Sequence, residues 1–576
     1  MGDGQFVSLT TTEAVTQAPP GGVSRLWNRQ LETYPETGPR MLYLAITVLA
    51  TVTLYYELYV AGSVSTLILQ DLHMSFTFFV TTLAIGNLIG AFGSLFAGLT
   101  DRLGRTNLVV IGLLITGILV VWVIPAQTGK WGFTVSSFAV GLVEGICLVA
   151  TPALIRDFSP QTGRATAMGF WTSGPVLGSL IVAVVGSNTV PTNPAPGFWS
   201  HEYHICGVVG LVVFVLALFG LRELSPKLRD QLMVSMQDRA LIEAKAKGLT
   251  EADLEAALRS PFRQLIKPDV VVSALGISIF LLVYYTAVGF GLIYMTTVFG
   301  FSVKDANGIG NWNWGFDLVA LLIFGVVSDR MRVRKPFMVI GGVASAVMMV
   351  IYLLQAGHHV GYYQLAIITA ALAFCLGVAY VPWMASFTET VEDRNPALTA
   401  TGLAIWGWIL RVVVFAAYLI LPVVINSVNP LVTYGTAVQA VVKQYPTQVA
   451  TLSAIHPNTL AALKANPGNT AAIGQAVTQI SSGLHVNSGQ ALQNLIAVSK
   501  LPASATATLA HAPAVQKAVA QGPGQWKDWY WICFGGMIFF IFTVPLMRGR
   551  WSPKAARADE EAHEAMVQAE LAKLNA

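Results

Sequence analysis

Charge is what this sequence has least of. Of 576 residues, 34 are Lys or Arg and 30 are Asp or Glu, together 11% of the chain. Soluble domains run near a quarter charged, and a water-soluble fold of this length has no other way to cover its surface. That excludes a soluble enzyme, a disordered scaffold and a nucleic-acid-binding module. Cysteine is scarce too. Cys147, Cys206, Cys375 and Cys533 each stand alone inside an apolar run, giving neither a disulfide framework nor a CxxC metal pair. The first 40 residues hold no apolar stretch, so no cleavable signal peptide is expected. No GxxxxGK[ST] loop is present, so ATP hydrolysis by this chain is not expected. His201 and His204 flank Glu202 as the only histidine pair beside an acid, without a third ligand or helical spacing. No metal, no cofactor and no enzymatic activity are expected.

What the chain has instead is apolar residues, 54% of the total. Runs of about 20, the length that crosses ~30 Å of hydrocarbon, fall at 41–63, 76–100, 106–125, 132–156, 165–188, 203–222, 268–298, 309–328, 336–356, 362–387, 398–426 and 529–548. The sequence therefore predicts an all-α integral membrane protein with twelve transmembrane helices. With the N-terminus in the cytoplasm, the inner segments carry 26 Lys and Arg and the outer ones 7, leaving Arg411 inside a span. The positive-inside rule then puts both termini in the cytoplasm of a multi-pass protein of the cell (inner or plasma) membrane. The expected units are a cytoplasmic tail (1–40), a six-helix half (41–222), a charged cytoplasmic linker (223–267) and a second half (268–426 with 529–548). An extracytoplasmic helical insert (427–528) and a cytoplasmic tail (549–576) complete the chain. The linker carries a capping signal at Thr250–Asp253. The insert, rich in Ala, Gln, Thr and Val, is expected as short helices broken at Pro457, Pro467 and Pro502.

The two halves repeat each other. Tyr55-Tyr56 recurs as Tyr284-Tyr285, Asp101-Arg102 as Asp329-Arg330, and the segment opening at Ala165 as the one opening at Leu398, at offsets of 229, 228 and 233 residues. Parallel repeats of this kind place a substrate site between the halves near the bilayer midplane. The loop after span two reads Ala97-Gly-Leu-Thr-Asp101-Arg102-Leu-Gly104-Arg105, and the one after span eight Gly325-Val-Val-Ser-Asp329-Arg330-Met-Arg-Val-Arg334-Lys335. The chain resembles the major facilitator superfamily (MFS), whose signature G-x-x-x-D-R-x-G-R-[RK] occupies these two places. Ala97 replaces the leading glycine of the first copy, Thr106 its final base, and Val333 the inner glycine of the second. The resemblance implies the MFS fold, transport by alternating access, and a gating latch of Asp101, Arg105 and Asp157 in one half. Asp329 and Arg330, with Glu389 or Glu392, are its counterpart in the other.

An ionisable group at span depth costs on the order of 2.5–3.5 kcal/mol on insertion scales and is a functional candidate by default. Four such groups stand out: Glu57, Glu144, Asp317 and Arg411. Asp317 precedes Asp329 by 12 residues and Arg411 follows Leu398 by 13, which sets both about 18 Å above the inner surface at 1.5 Å per residue. They are placed to meet, either as a structural ion pair or with Asp317 competing for an Arg411 that takes an anionic substrate group. Glu57, Glu144 and Asp317 are the expected proton-coupling residues. Glu144 sits in Gly141-Leu-Val-Glu144-Gly145, a spacing that also serves close helix packing. Four residues before Gly141, where the family often has an arginine, this chain has Ser137.

Polar aromatics crowd the expected cavity, and such rings suit organic solutes carrying rings or hydroxyls. Tyr56 and Tyr285, equivalent in the repeat, with Trp171, Asn313, Trp383 and Arg411, are the expected substrate contacts. The expected function is a monomeric, proton-coupled MFS symporter of a small organic solute, an organic anion by virtue of Arg411. Its partners are that solute, protons and the lipid bilayer. Gly174-Pro175-Val-Leu-Gly178 partly resembles the motif of drug/proton antiporters, and Arg222 to Lys227 is similar to a sugar-porter signature. An efflux antiporter and a sugar or metabolite symporter are therefore the alternatives, with a transporter-like sensor as a remote one.

Overall fold

Why the apolar runs become helices is visible in a computed structural model of the chain, which describes residues 27–94, 104–158, 164–225, 228, 265–394, 399–558, 561–562 and 565. In hydrocarbon every backbone N–H and C=O must be satisfied within its own segment. Each run accordingly closes into helix: α1 (Thr37–Ser63), the short α2 (Ser65–Asp71), α3 (Phe76–Gly93), α4 (Arg105–Ile118), α5 (Lys130–Asp157), α6 (Arg164–Thr189) and α7 (Trp199–Gly220). The second half supplies α8 (Pro268–Phe280), α9 (Leu282–Val298), α10 (Val303–Met331), α11 (Lys335–Leu354), α12 (Tyr362–Arg394) and α13 (Thr399–Val424). Local chemistry sets several starts. Ser75 accepts from Phe78 N at 3.2 Å, Ser302 accepts from Asp305 N at 3.1 Å, and Pro268 opens α8.

Ten helical segments among the described residues are long and apolar enough to cross a membrane. Two further long helices, α6 and α10, lie outside that set. In α10 the reason is its polar face: Asn307, Asn311, Asn313 and Asp317 turn toward protein, while Trp312, Phe316, Leu322 and Val326 are exposed.

Most expected boundaries hold, but α10 begins six residues early at Val303 and α12 runs seven residues late to Arg394, and three further places differ. Span two is described as helix only to Gly93, and 95–100 lie outside the described residues. Span seven is two helices joined at Leu281, not one. The last helix, α20 (Ala512–Thr543), begins 17 residues before the expected span. Its 32 residues measure about 48 Å, longer than the hydrocarbon, because the polar stretch 512–528 continues the same helix.

Between α13 and α20 the insert forms α14 (Val428–Gln444), α15 (Pro446–Ala454), α16 (Pro457–Ala465), α17 (Thr470–Leu484), α18 (Ser488–Ser499) and α19 (Ala503–Leu509). Pro457 opens α16, Pro467 stands between α16 and α17, and Pro502 caps α19. Ile455, Ala476, Ile480 and Ala491 give the insert a small core of its own.

Two helix pairs form the seam between the halves: α6 runs along α10, and α3 along α13. The sequence repeat equates α3 with α10 and α6 with α13, so the two pairs are counterparts. Within the first half, α3 and α5 cross closely through glycines. A Cβ on Gly90 would stand 3.0 Å from the Gly141 carbonyl oxygen, and one on Gly93 2.8 Å from that of Leu142. The Gly86, Gly90, Gly93 spacing thus serves helix packing.

At the end that carries the linker, the chain before α1 is tied under the first half. Gln30–Leu31 pairs in parallel with Glu223–Leu224 in a two-residue ladder. Arg29 donates to the carbonyls of Ala217 (3.1 Å) and Leu218 (2.6 Å) in the last turn of α7, and its burial, with Arg222 nearby, lowers its pKa from the usual arginine value. Glu223 accepts from Thr106 N at 3.2 Å in the first turn of α4. A cation at a helix C-terminus and an anion at an N-terminus both oppose the helix dipole favourably.

Candidate functional site

The site grows from the seam. Arg411 on α13 donates through Nη1 to the Gly90 carbonyl of α3 at 2.6 Å, and Asn87 Nδ2, one turn earlier on α3, donates to the Arg411 carbonyl at 3.2 Å. The electrostatic neighbours of the Arg411 guanidinium are Tyr55 and Tyr59 of α1, Tyr285 of α9 and Glu144 of α5. Tyr284 extends the cluster, with its ring 5.2 Å from Tyr285 and 5.2 Å from Trp314. Tyr380 of α12 has Tyr285, Tyr55 and Asp317 as neighbours. One arginine therefore has phenol groups of both halves among its electrostatic neighbours. The repeat offset of 233 pairs Arg411 with Gly178, whose missing Cβ would stand 2.7 Å from Tyr55 Cβ. The cation belongs to one half, and the other half gives up side-chain volume opposite it.

The expected residues divide sharply here. Tyr285 lies in the cluster, but Tyr56 does not: it is buried with Cys206, Glu202 and Glu57 as neighbours, packed inside the first half. The preceding residue, Tyr55, faces Tyr285 and Arg411 instead. Trp383 is fully buried within the second half and donates to Ser273 Oγ at 2.9 Å, a packing role. Asn313 lines a cavity between the halves together with Tyr59, Ser63, Ser179, Asn307 and Trp314. The side chains of Trp171 and Glu392, and the whole of Asp101, lie outside the described residues.

Among the acids, Glu144 is 1% exposed and neither of its oxygens has a hydrogen-bond partner among the described residues. Its electrostatic neighbours are Glu57 and Arg411. Glu57 is also buried, but it turns away from the seam, with Thr116 of α4 as its polar neighbour. Its Oε1 occupies the space a Cβ would take on Gly210 of α7. Its repeat equivalent, Thr286, accepts a hydrogen bond from Trp529 of α20 at 3.0 Å, so both positions face the sixth long helix of their own half. Asp317 is buried beside Gly377 of α12. Asp317 and Arg411 do not meet: no ion pair joins them among the described residues. Equal height on two helices does not fix the direction in which each side chain points.

Of the two expected latches, the first contains an ion pair, Arg105 with Asp157 at 2.7 Å, both side chains mostly buried. In the second, the base that pairs with the acids is Arg334 and not the expected Arg330. Arg334 bonds Asp329 at 2.6 Å, Glu389 at 3.1 Å and Ser328 Oγ at 2.8 Å, whereas Arg330 is exposed. Left-handed backbone at Arg332 (φ 56°) ends α10 and turns the chain so that Arg334 folds back over it. Sequence reasoning missed Asn87 and Arg334. For Asn87 the available signal was a polar residue three before a seam glycine; for Arg334 there was none, because an arginine at 332 does not announce a left-handed turn.

The end of the seam that carries the insert is closed. Asn307 donates to the Ser63 carbonyl at 3.0 Å, Asn311 to Ser187 Oγ at 2.9 Å, and the rings of Phe76 and Phe290 meet at 5.8 Å. Each of these contacts joins opposite halves.

Similarity to known proteins agrees with this architecture. The chain is 28% identical over 158 residues to the multidrug resistance protein MdtL of Shewanella oneidensis and 27% identical over 198 residues to the efflux pump radE of Floropilus chiversii. These matches cover 27% and 34% of this chain, and the chain spans only 37% and 36% of the length of those relatives. The crystal structure of a bacterial homolog to the human lysosomal transporter Spinster superposes with a TM-score of 0.53 at 16% identity, covering 90% of this chain and all of that one. That likeness is one of fold. Residues 47–417, well over half of the chain, match the Major Facilitator Superfamily. This multi-pass membrane protein belongs to that family of transporters.

Proposed function

We propose that the chain moves a small organic anion together with protons by alternating access. In this reading twelve helices span the cell membrane, the linker and both termini lie in the cytoplasm, and the insert stands outside. The observation that carries it is Arg411, the one largely buried cation of the seam among the described residues, with phenols of both halves and the buried Glu144 as its electrostatic neighbours. Nη1 is held by Gly90, and the remaining donors of the planar fork suit a carboxylate or similar oxyanion. Tyr55 and Tyr285 supply hydroxyl donors and apolar ring faces to the rest of the solute.

Coupling then follows from charge competition. When Glu144 is ionised it attracts Arg411 and repels an incoming anion. When Glu144 takes up a proton, Arg411 is released to the anion, so proton and anion load together. On the side where protons are scarce, Glu144 gives up its proton, reclaims Arg411 and expels the anion. Rocking of the halves separates α3 from α13 and with them the Arg411–Gly90 bond.

A second reading, drug/proton efflux, is favoured by the likeness to a multidrug resistance protein and an efflux pump and by three acids buried at span depth, Glu57, Glu144 and Asp317. Glu144 is then the acid for which a lipophilic cation and a proton compete.

Thermal stabilisation of the purified protein by carboxylates, sugars, amino acids and lipophilic cations, at two pH values, separates the two. A ligand at 100 times its Kd adds about 2.7 kcal/mol of stability. Stabilisation by a carboxylate that is lost in Arg411→Gln is the expected result. Stabilisation by lipophilic cations alone overturns the anion reading.

A further inference from the structure

The insert touches both halves, and the way it does so assigns it a task. Asn429, in the first turn of α14, makes two bonds to the opposite half: its Oδ1 accepts from Thr77 N at 3.3 Å and its Nδ2 donates to Thr77 Oγ1 at 3.1 Å. Thr77 is the second residue of α3, so a residue of the insert satisfies one of the free N–H groups that every helix start leaves. About two turns further along α14 from Asn429, Thr436 Oγ1 accepts from Gln70 Nε2 of α2 at 3.1 Å.

On its other side α14 is fastened to its own half. Ser427 N donates to Gln525 Oε1 at 2.9 Å, Gln525 Nε2 donates to Asn426 Oδ1 at 2.9 Å, and the Tyr434 ring stacks on His511 with centroids 3.8 Å apart. Both Gln525 and the residue after His511 belong to α20. The helix thus travels with the second half while gripping the first.

We propose that α14 is the gate on the insert side of the seam, with Asn429 and Thr436 as its positioning residues. The inference rests on alternating access, and on neither the substrate nor the coupling ion. Opening the seam at the insert end carries the start of α3 away from α13. It must break the bonds to Thr77 and Gln70, while those to Gln525 and His511 stay intact. The same α3 carries Asn87 and Gly90, the partners of Arg411, so the gate and the site hold one helix at two points. A packed path joins them as well: Phe76 meets Phe290, Phe290 meets Tyr418 at 4.9 Å, and the Tyr418 hydroxyl donates to the Tyr285 carbonyl at 3.0 Å. Two discrete arrangements of α3 against α13, biased at both points, are the physical element such coupling requires.

The test uses full-length protein in lipid nanodiscs with Ser63→Cys as the reporter. Ser63 is buried between the halves at the insert end, so a thiol there reacts with a water-soluble maleimide only while the seam is open. Labelling of the four native cysteines is measured in the parent and subtracted. Asn429→Ala and, separately, the near-isosteric Thr436→Val are expected to raise the labelling rate roughly two- to tenfold, the worth of one or two hydrogen bonds. Bridging Gln70→Cys to Thr436→Cys with a short bis-methanethiosulfonate linker is expected to push it below the unbridged rate, and reduction to restore it. Unchanged labelling in both single variants, at unchanged melting temperature, overturns the gate, as does a bridged protein that labels like the unbridged one. A reporter that never labels in any variant overturns alternating access itself, and the gate with it.

Discussion

Arg411 and Gly90 are joined by a 2.6 Å bond from guanidinium to carbonyl that crosses between the two halves of the protein. On its other side Gly90 packs against α5, where a Cβ would stand 3.0 Å from the Gly141 carbonyl oxygen. A charge that spans the seam is both a ligand for substrate and a strut that must let go, and the two roles make different demands on its shape.

Those demands predict the behaviour of a lysine at position 411. Arg411→Lys keeps the charge but replaces a planar fork by one ammonium, which cannot hold Gly90 and present paired donors to an oxyanion at once. Carboxylate affinity is expected to fall at least tenfold in Arg411→Lys and to vanish in Arg411→Gln. Ligand-dependent melting of the purified variants reads this. A lysine variant with parental affinity makes Arg411 a point charge only.

Glu144 predicts the pH dependence. Its ionised form competes with the substrate for Arg411, so carboxylate affinity in the parent should fall as pH rises. In Glu144→Gln the competitor is permanently neutral, and affinity should stay at its low-pH level across the range. Binding titrations between pH 5 and pH 9 on parent and variant decide it. A variant that keeps the parental pH slope moves the proton site elsewhere.

The all-helical membrane fold and the family were legible in this sequence, because hydrocarbon imposes an apolar run on each span and the signature loops kept their acid and base. Which way a side chain points was not. Tyr55 and Tyr56 are equally polar and aromatic, yet one residue is 100° of helix turn, and that rotation sends Tyr55 to the seam and Tyr56 into the first half. The same blindness matched Asp317 with Arg411 by height alone. Arg334 was hidden for another reason: a left-handed residue at Arg332 redirects the chain after α10, and no residue type at that position announces it.

Glu57 and Gly210 make a steric prediction. The carboxylate oxygen lies where an alanine Cβ would be, so Gly210→Ala forces Glu57 aside and should cost about 1–3 kcal/mol as overpacking does. In a Glu57→Ala background the same Gly210→Ala should cost little, since the space is then vacant. Thermal unfolding of the four proteins gives the cycle. Equal costs in both backgrounds refute the packing of Glu57 against α7, and would return Glu57 to the seam as a proton-coupling candidate.

The two latches differ in burial, and that difference predicts their energetics. Arg105 and Asp157 are 15% and 9% exposed, whereas Asp329 and Glu389, the partners of Arg334, are 45% and 49% exposed. An exposed pair contributes roughly 0.2–1 kcal/mol, because water screens it and ordering two long side chains costs entropy. A mostly buried pair couples more strongly, and removing one member strands the other's charge where water reaches it poorly. Double-mutant cycles with Arg105→Gln and Asp157→Asn should give a coupling of about 1–3 kcal/mol, while Arg334→Gln with Asp329→Asn should stay under about 1 kcal/mol. Raising the salt from low to high ionic strength should erode the second coupling and largely spare the first. If the two couplings come out equal and equally salt-sensitive, both latches are surface pairs in solution. The burial of Arg105 and Asp157 then contributes nothing to holding the start of α4 and the end of α5 together.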